Sequence, residues 1–427
     1  MKRMAVAALA VLLVAGCPRN KAPEVASTPT GPSAIAKDSL ATFSTTAIDA
    51  DGDSVAIRFD WGDGDTSDWS AVVASGQSVS MSHAWSAEGV FPVCAVAKDK
   101  RGSLSEYSLP ATARVIACWI ATLGGSDGDD GESVLQTPDG GYIVVGMTYS
   151  YGAGNSDVWL VKADASGNKL WDRTFGGSEW DFASSVQPTA DGGYIILGQT
   201  ESYGAGGTDA WLIKTDPEGN PAWDKTFGGE DWDLAYSVTP TLDGGYVFTG
   251  ATFSGQTGSE DLWLVKTDAA GNKLWDRTFG GPDIDVGRSV LQNSDGGLVV
   301  AGWITADTLG YREVWLVKTD AEGNEVWDRQ FGGAEDDLGF AVRQTTDGGY
   351  VIAGMTYDSK GESRDDVLLV KTDGDGNKVW DRVFAWARWE DGVAVQQTSD
   401  GAYIVAGYTD SFGEGYSDVP LIKTIGP

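Results

Sequence analysis

From residue 119 onward, apolar residues occur in short runs that are separated by turns rich in Gly, Asp and Asn. Runs of about six to eight residues rich in Val, Ile, Trp and Tyr favour β-strands over helices. In the first complete unit, strands are predicted at 132–137, 142–148, 157–163 and 169–175. Apolar residues lie on both faces of these strands, so each unit is expected to be packed between two neighbours.

The unit is repeated along the chain. Equivalent tryptophans follow one another at spacings of 52, 52, 52, 52 and 53 residues. They are Trp119, Trp171, Trp223, Trp275, Trp327 and Trp380. A DGGY-like turn and a strand such as DVWLVK also recur in each unit. A repeat of four-stranded units of this length predicts the blades of a β-propeller.

The two ends of the repeat predict how the ring closes. The last unit supplies three strands, at 393–398, 403–408 and 418–424, whereas one extra strand, 118–123, precedes the first complete unit. If that strand joins the last unit, it completes a sixth blade and removes the open sheet edges. We therefore predict a closed six-bladed propeller over 118–427, with an open or seven-bladed arrangement as the alternative.

The copies of residues 176–223 are similar to bacterial SBBP-type β-propeller repeats, through their GG-x-x-x-D, DGGY and D-x-x-G-N-x-x-W elements. The resemblance implies the fold and gives no ligand. Residues 36–116 alternate as in an all-β sandwich. Their motifs FDWGDG at 59–64, HAW at 83–85 and GVFPV at 89–93 resemble the PKD family. That resemblance implies an extracellular spacer or weak binding module without catalysis.

The N-terminus has the layout of an export signal. Two basic residues precede an apolar run over 4–14 that is too short to span a membrane. The sequence LVAGC at 13–17 resembles a bacterial lipobox, which implies lipidation of Cys17 and a lipid anchor in the cell envelope, at the outer membrane or cell surface. An ordinary signal peptide is the alternative. Residues 18–35, rich in Pro, Ser and Thr, predict a flexible linker.

Charge and composition exclude several classes of function. The chain has 62 acidic and 30 basic residues, a formal charge of −32. This charge repels nucleic acid and anionic lipid, so we expect no nucleic-acid partner and membrane contact through the lipid alone. The one histidine, His83, precedes the repeats, which excludes His-based catalysis or zinc binding there. A monomer is expected, and pairing of Cys94 with Cys118 is left open.

One acidic residue precedes the predicted innermost strand of each unit. These residues are Asp129, Asp181, Asp233, Asp285, Asp337 and Glu390. Three tryptophans stand directly before members of this set: Trp180, Trp232 and Trp389. Carboxylates beside aromatic rings suit a glycan or peptide ligand at one mouth of the ring. The alternatives are that the acids cap local backbone amides and that the aromatic residues pack between blades.

Two further sets of charged residues have structural or metal-binding interpretations. The repeated Lys of the third strand and the Asp-Arg or Asp-Lys pairs of the fourth are interpreted as structural ion pairs or cation–aromatic contacts. Asp49, Asp51 and Asp53 form a D-x-D-G-D loop that could bind calcium through oxygen ligands, with a plain Asp-rich turn as the alternative. No other cofactor is predicted.

Three functions fit these features. The favoured one is a surface binding or adhesion protein, in which the propeller loops recognise a glycan or an extracellular protein. The second is a structural envelope scaffold without a small ligand. The third is a carbohydrate-active enzyme that uses carboxylates alone. Near-identity of the units argues against an enzyme, because an active site requires one unit to differ from the others.

Overall fold

The computed structural model describes residues 20–116, 120–254, 259–305, 310–358, 364–386, 388–411 and 418–426. The chain divides into two compact units, Met1–Ile120 and Ala121–Pro427. In these ranges the regular elements are β-strands, which confirms the all-β prediction. The described residues include no helix that is long and apolar enough to cross a membrane.

The first unit is a small β-sandwich. Its strands are β1 (Ala34–Ala36), β2 (Ala41–Thr46), β3 (Val55–Asp60), β4 (Ser78–His83), β5 (Gly89–Asp99) and β6 (Ala111–Ile116). One sheet has the order β1-β6-β5-β3 and the other pairs β2 with β4. Phe43, Phe59, Trp61 and Trp85 fill the core between them, and the Trp85 indole donates a 3.1 Å hydrogen bond to the Trp61 carbonyl.

The prediction of a flexible linker over 18–35 is wrong for the described residues. The amides of Glu24 and Ser27 donate to carbonyls at the end of β2 and just beyond it, at 2.8 and 2.9 Å. Ala26 is buried in the sandwich core. A segment rich in Pro and Ser is therefore ordered here because a neighbouring strand supplies its hydrogen-bond partners, which composition alone does not reveal. Residues 18 and 19, like Cys17 and the signal segment, lie outside the described ranges.

The second unit contains six consecutive antiparallel sheets. The first three sheets contain β7 (Asp129–Gln136), β8 (Tyr142–Thr148), β9 (Asp157–Ala163), β10 (Lys169–Phe175); β11 (Asp181–Pro188), β12 (Tyr194–Thr200), β13 (Asp209–Thr215), β14 (Pro221–Phe227); and β15 (Asp233–Pro240), β16 (Tyr246–Thr252), β17 (Asp261–Thr267), β18 (Lys273–Phe279). The last three contain β19 (Val286–Gln292), β20 (Leu298–Thr305), β21 (Arg312–Thr319), β22 (Glu325–Phe331); β23 (Asp337–Gln344), β24 (Tyr350–Asp358), β25 (Arg364–Thr372), β26 (Lys378–Phe384); and β27 (Glu390–Gln397), β28 (Tyr403–Thr409), β29 (Leu421–Thr424).

Four-stranded sheets in a propeller-like arrangement confirm the coarse prediction. The first strands of successive sheets contact one another, as expected for innermost strands. β8, β9 and β10 have the predicted bounds. β7 begins earlier than predicted, because Asp129 already pairs with Thr148. The third strand of the last unit is shorter than predicted.

Consecutive sheets pack face to face. Ile143, Val145 and Leu160 of the first sheet form one cluster with Val186 and Ile196 of the second. The central strands are therefore buried on both faces, which explains their continuous apolar runs.

The faces at the two ends of this series are exposed. Val134 in the first sheet is 65 % exposed, whereas its equivalents in the following five sheets are buried. Leu421 in the sixth sheet is 70 % exposed, whereas its equivalents in the preceding five are buried. Residues 117–119 lie outside the described ranges, and 120–123 form no strand. The closing strand 118–123 stays a prediction.

The repeated lysines lock the turn between the first two strands of each sheet. The pairs are Lys162–Asp139, Lys214–Asp191, Lys266–Asp243, Lys318–Asp295, Lys371–Asp347 and Lys423–Asp400, at 2.5–3.2 Å. In the fourth strands, Arg173, Arg277 and Arg329 each lie 5.2 Å from a tryptophan ring centre. The structural interpretation of both sets is confirmed.

The DGGY turn also depends on its two glycines. Gly244 has φ of +83°, a conformation that favours glycine. A Cβ on Gly245 would lie 2.1 Å from the Thr267 carbonyl oxygen of the adjacent strand. The turn thus presses against the end of the third strand, which is where Lys266 reaches the Asp243 carboxylate.

We expect Asp243→Ala to lower the free energy of unfolding by about 1–3 kcal/mol, because it leaves the buried Lys266 ammonium without its carboxylate. The matched control is Asp400→Ala, where Lys423 is half exposed and the expected loss is smaller, because solvent screens this ion pair. Both aspartates accept the same turn hydrogen bonds from a threonine and a backbone amide. Equal losses in urea unfolding would contradict a special role for the buried lysine.

Candidate functional site

The acidic residue at the start of each innermost strand is engaged by its own loops. Asp233 accepts hydrogen bonds from the Gly229 amide at 2.7 Å, from Ser254 Oγ at 2.9 Å and from Thr252 Oγ1. Asp181 accepts equivalent bonds from Gly177 and Ser202. The structure thus realises the capping alternative that the sequence left open.

These acids are also largely shielded from solvent. Asp181, Asp233, Asp285, Asp337 and Glu390 are buried, and Asp129 is half-buried. Their carboxylates hold together the loops at one end of the sheets, and a ligand at this end would meet the loops first. Their role as direct ligand contacts stays a prediction.

A second carboxylate, at the start of the third strand of the preceding sheet, lies beside two of these acids. A Cβ built on Gly176 would lie 2.0 Å from Asp157 Oδ1 and 2.8 Å from Asp181 Oδ2. Gly228 has the same relation to Asp209 and Asp233, at 1.9 and 2.7 Å. Glycine is required at both positions because it lets the two carboxylates approach the backbone between them.

One carboxylate of each pair has a raised pKa. Burial, followed by the negative charge of Asp233, raises the pKa of Asp209 to about 6. Burial also raises the pKa of Asp157, and the charge of Asp181 adds to it. Like charges in partly desolvated positions favour one protonated partner. The free energy of unfolding should therefore depend on pH near 6 through these carboxylate pairs.

The three predicted tryptophans present their rings at this end of the sheets. Trp180, Trp232 and Trp389 are exposed, the last two by about 60 %. The Trp232 carbonyl accepts a hydrogen bond from the Phe253 amide at 2.9 Å, and the two rings meet edge to face at 6.3 Å. The backbone at Trp232 is thus fixed while its ring faces solvent.

Clefts open between adjacent sheets at the same end. The larger has a volume of about 640 Å³ and is lined by Asp233, Thr252, Ser254, Trp263 and Lys273, among others. A smaller one of about 200 Å³ lies at the equivalent acid, Asp337. Both clefts are narrow, polar spaces that are bounded by the capped loops.

The D-x-D-G-D loop of the sandwich does not bring its three carboxylates together. Asp49 Oδ1 accepts the amides of Asp51 and Asp53, at 3.0 and 3.1 Å, and Asp53 pairs with Lys100 at 2.6 Å. This is the arrangement of an Asp-rich turn. Calcium binding at this loop stays a prediction that these contacts do not favour.

Another trio in the sandwich does converge. Asp63, Asp65 and His83 each offer one ligand atom, and these atoms lie within 4.8 Å of one another. His83 Nε2 lies 2.7 Å from Asp63 Oδ2, and its ring stacks on Trp61 at 5.0 Å. Burial acts to raise the pKa of Asp63, but hydrogen bonds led by that from His83 lower it overall. The stacking and the ion pair account for these positions without a metal.

Sequence analysis missed one group on the innermost strands. Tyr236, Arg288 and Phe340 occupy the same position in three successive units, and Trp303 lies beside them. The sequence did contain a signal for this group. At this position the side chain changes in charge, size and polarity from unit to unit, whereas the residues on either side of it are small in every unit.

Asp209→Asn should stabilise the protein at pH 8 and have little effect near pH 4. The pKa of Asp209 is higher in the folded protein than in the unfolded chain, where it is about 4. The contribution of Asp209 to stability is therefore fully present below about pH 4, and it is lost as the pH rises through 6. We expect a Tm increase of about 2–4 °C at pH 8. Asp375→Asn, on an exposed turn, is the control. A gain that does not change between pH 4 and pH 8 would contradict the assignment.

The comparisons with known proteins identify the fold of the first unit, the β-sandwich. The PKD domain profile matches residues 25–108. A solved PKD domain from a peptidase of a Thermoplasmatales archaeon is 29 % identical and covers 23 % of this chain and 98 % of its own, with a TM-score of 0.22. A Bacteroides caccae protein of the DUF4784 family is 11 % identical over 93 % of this chain and 95 % of its own, with a TM-score of 0.33.

The regulatory protein FlaEY of Caulobacter vibrioides is 26 % identical over 132 residues, which are 28 % of this chain and 14 % of that protein. The chain thus spans a small part of that relative. The profile match, the motifs at 59–64 and 83–85 and the observed sandwich agree with one another. Residues 25–108 form a PKD domain.

Proposed function

We propose that this chain is an exported, lipid-anchored surface protein whose propeller binds a glycan or an extracellular protein at the loop end of its sheets. The observation that carries the proposal is the exposure of Trp180, Trp232 and Trp389 at that one end. Each ring keeps a large apolar area in water, which a ligand at this end would cover. Cys17 and the export signal supply the anchor in this proposal.

The loop acids support the proposed surface indirectly. Asp233 ties together the Gly229 amide, Ser254 and Thr252, so it holds the loops that carry Trp232 and Phe253 in one arrangement. A rigid aromatic platform loses little conformational entropy when a ligand binds. Capping and binding are therefore compatible functions of one loop.

We consider two alternative functions that the structure favours less. A structural scaffold would use the sheets as a platform and would tolerate changes of the exposed tryptophans. A carboxylate-based carbohydrate-active enzyme would need a pair of acids in one distinct cleft. The acids here recur at equivalent positions of successive sheets, which favours binding over catalysis.

We further propose that the ring closes into six blades. The exposed face of the sixth sheet carries Ile404, Val419 and Leu421, and the exposed face of the first carries Val134 and Val144. Equivalent residues of the intervening sheets pack against one another. The occupant of each face is thus the other end of the same chain, with 118–123 as the fourth strand of the sixth sheet.

Replacing one exposed tryptophan should abolish most ligand binding. We expect Trp232→Ala to weaken saturable binding to glycan arrays or cell-wall polysaccharide by about tenfold or more without a change in Tm. Leu242→Ala, exposed at the opposite end of the same sheet, is the matched control. Binding is measured with calcium and with chelator. Absence of binding by the folded protein in both conditions would favour the scaffold alternative.

Ring closure predicts an intramolecular cross-link. In a Cys94→Ser, Cys118→Ser background, Val134→Cys with Leu421→Cys should oxidise to a disulfide within one chain, visible as faster migration on a non-reducing gel. Leu160→Cys with Val186→Cys, whose parent residues share a core cluster, is the positive control. Cross-linking between chains, with the control pair closing normally, would indicate an open ring.

A further inference from the structure

Each innermost strand contains a β-bulge at the same place. The register shifts between Gly131 and Ser133 in β7, and shifts recur at the equivalent position in the five other innermost strands. The bulged residues are Glu132, Ser184, Tyr236, Arg288, Phe340 and Val393. A bulge leaves its extra residue outside the ladder and redirects the side chain.

Residues next to the bulge have a fixed structural task. Ser237 Oγ accepts a hydrogen bond from the Val290 amide of the next sheet at 3.3 Å, and Ser289 Oγ accepts from Val342 in the same way. The small size of the flanking residues and their hydroxyls are thus explained by packing between sheets. The bulged residue has no such task, and it is the one that differs from sheet to sheet.

Three consecutive bulges form an aromatic cluster around one cation. The guanidinium carbon of Arg288 lies 4.1 Å from the Tyr236 ring centre, 5.8 Å from that of Phe340 and 5.9 Å from that of Trp303. Trp303 on β20 meets Phe340 edge to face at 6.2 Å. The cluster therefore spans the third, fourth and fifth sheets.

Hydrogen-bond donors in this cluster outnumber acceptors. Trp303 Nε1 is buried, and no hydrogen-bond partner for it lies among the described residues. Arg288 is hydrogen-bonded to the Tyr236 side chain. Among the residues that the structure describes, its guanidinium forms no ion pair with a carboxylate. Burial raises the pKa of Tyr236, and the charge of Arg288 and its hydrogen bond to the phenol oxygen oppose this only in part, so the phenol stays neutral. The negative charge of Glu260 also acts to raise the pKa of Tyr236.

An unpaired indole N–H beside a half-buried cation that has no carboxylate partner among the described residues suits an anionic acceptor. A guanidinium presents two parallel N–H groups that match a carboxylate, and aromatic faces cover the C–H surface of a sugar ring. The net charge of −32 repels ligands with many negative charges, so a ligand with a single carboxylate is favoured. Arg288 follows Asp285 by three residues, about 10 Å along the strand from the loop end.

We propose that Arg288, Tyr236, Trp303 and Phe340 form a binding site for the carboxylate of an acidic sugar. This rests on the proposed function of the propeller and adds a ligand class to it. Arg288 binds the carboxylate, Trp303 Nε1 and the Tyr236 hydroxyl donate to ligand oxygens, and Phe340 packs against the sugar ring. The cluster also makes one region of the propeller different from its repeats.

The test is a titration of the full-length protein with D-galacturonic acid, in which binding is measured by saturation-transfer NMR and by calorimetry. We expect saturable binding that is at least about tenfold weaker for D-galactose, which lacks the carboxylate. We expect the same loss for Arg288→Gln and a smaller loss for Arg288→Lys, which keeps the charge but not the paired donors. Trp303→Phe, which removes one donor, should weaken binding and provides a second variant if Arg288→Gln does not fold.

The matched control is Glu132→Gln, which changes a charged bulge residue in the first sheet and should leave binding unchanged. Undiminished binding by Arg288→Gln, or no binding of galacturonate by the folded wild-type protein, would overturn the site. Acetate binding as tightly as galacturonate would overturn the sugar assignment. None of these results affects the loop-end proposal, which is judged by Trp232→Ala.

Discussion

Burial of both faces of every sheet is the constraint on which the second unit depends. A four-stranded sheet with apolar residues on both faces, such as the one with Ile195, Ile196 and Leu197 side by side, cannot be solvated on either side. It becomes stable when a neighbour covers each face, and the neighbours are copies of itself. Among the described residues, the two end faces at Val134 and Leu421 are the ones that this constraint leaves uncovered.

Turn locking follows from that packing. The DGGY turn packs against the end of the third strand because Gly245 lets the two backbones approach closely. The lysine that fixes this turn is itself buried in most sheets, and its carboxylate partner lies at the surface. The charge pair thus sits at the boundary between core and solvent, where a lysine can bury its stem and keep an ionic partner.

Much of the fold could be predicted from the sequence, because repeated spacing and turn residues report local geometry. The bounds of β8, β9 and β10 came from the positions of Gly, Asp and apolar runs. Contacts over long sequence distances could not be predicted in the same way. Ala26 belongs to a core because Ser27 pairs with the end of β2, and no local pattern in a segment rich in Pro and Ser shows this. Burial of Asp233 likewise depends on Ser254, which comes from a separate loop.

Repetition also separates structural residues from candidate functional ones. A residue that recurs in every unit is explained by a task that every unit has, as with the capping acids and the turn lysines. A position that varies among units while its neighbours stay constant has no such structural role. The β-bulge explains why, because the bulged residue lies outside the hydrogen-bonded ladder that the flanking residues maintain. Arg288 is such a residue, a cation held by three aromatic rings in a strongly acidic protein. Packing explains the rings around it, but it does not explain why the Trp303 indole N–H is buried without an acceptor. A buried donor left unpaired destabilises the fold, and the proposed ligand would supply the acceptor.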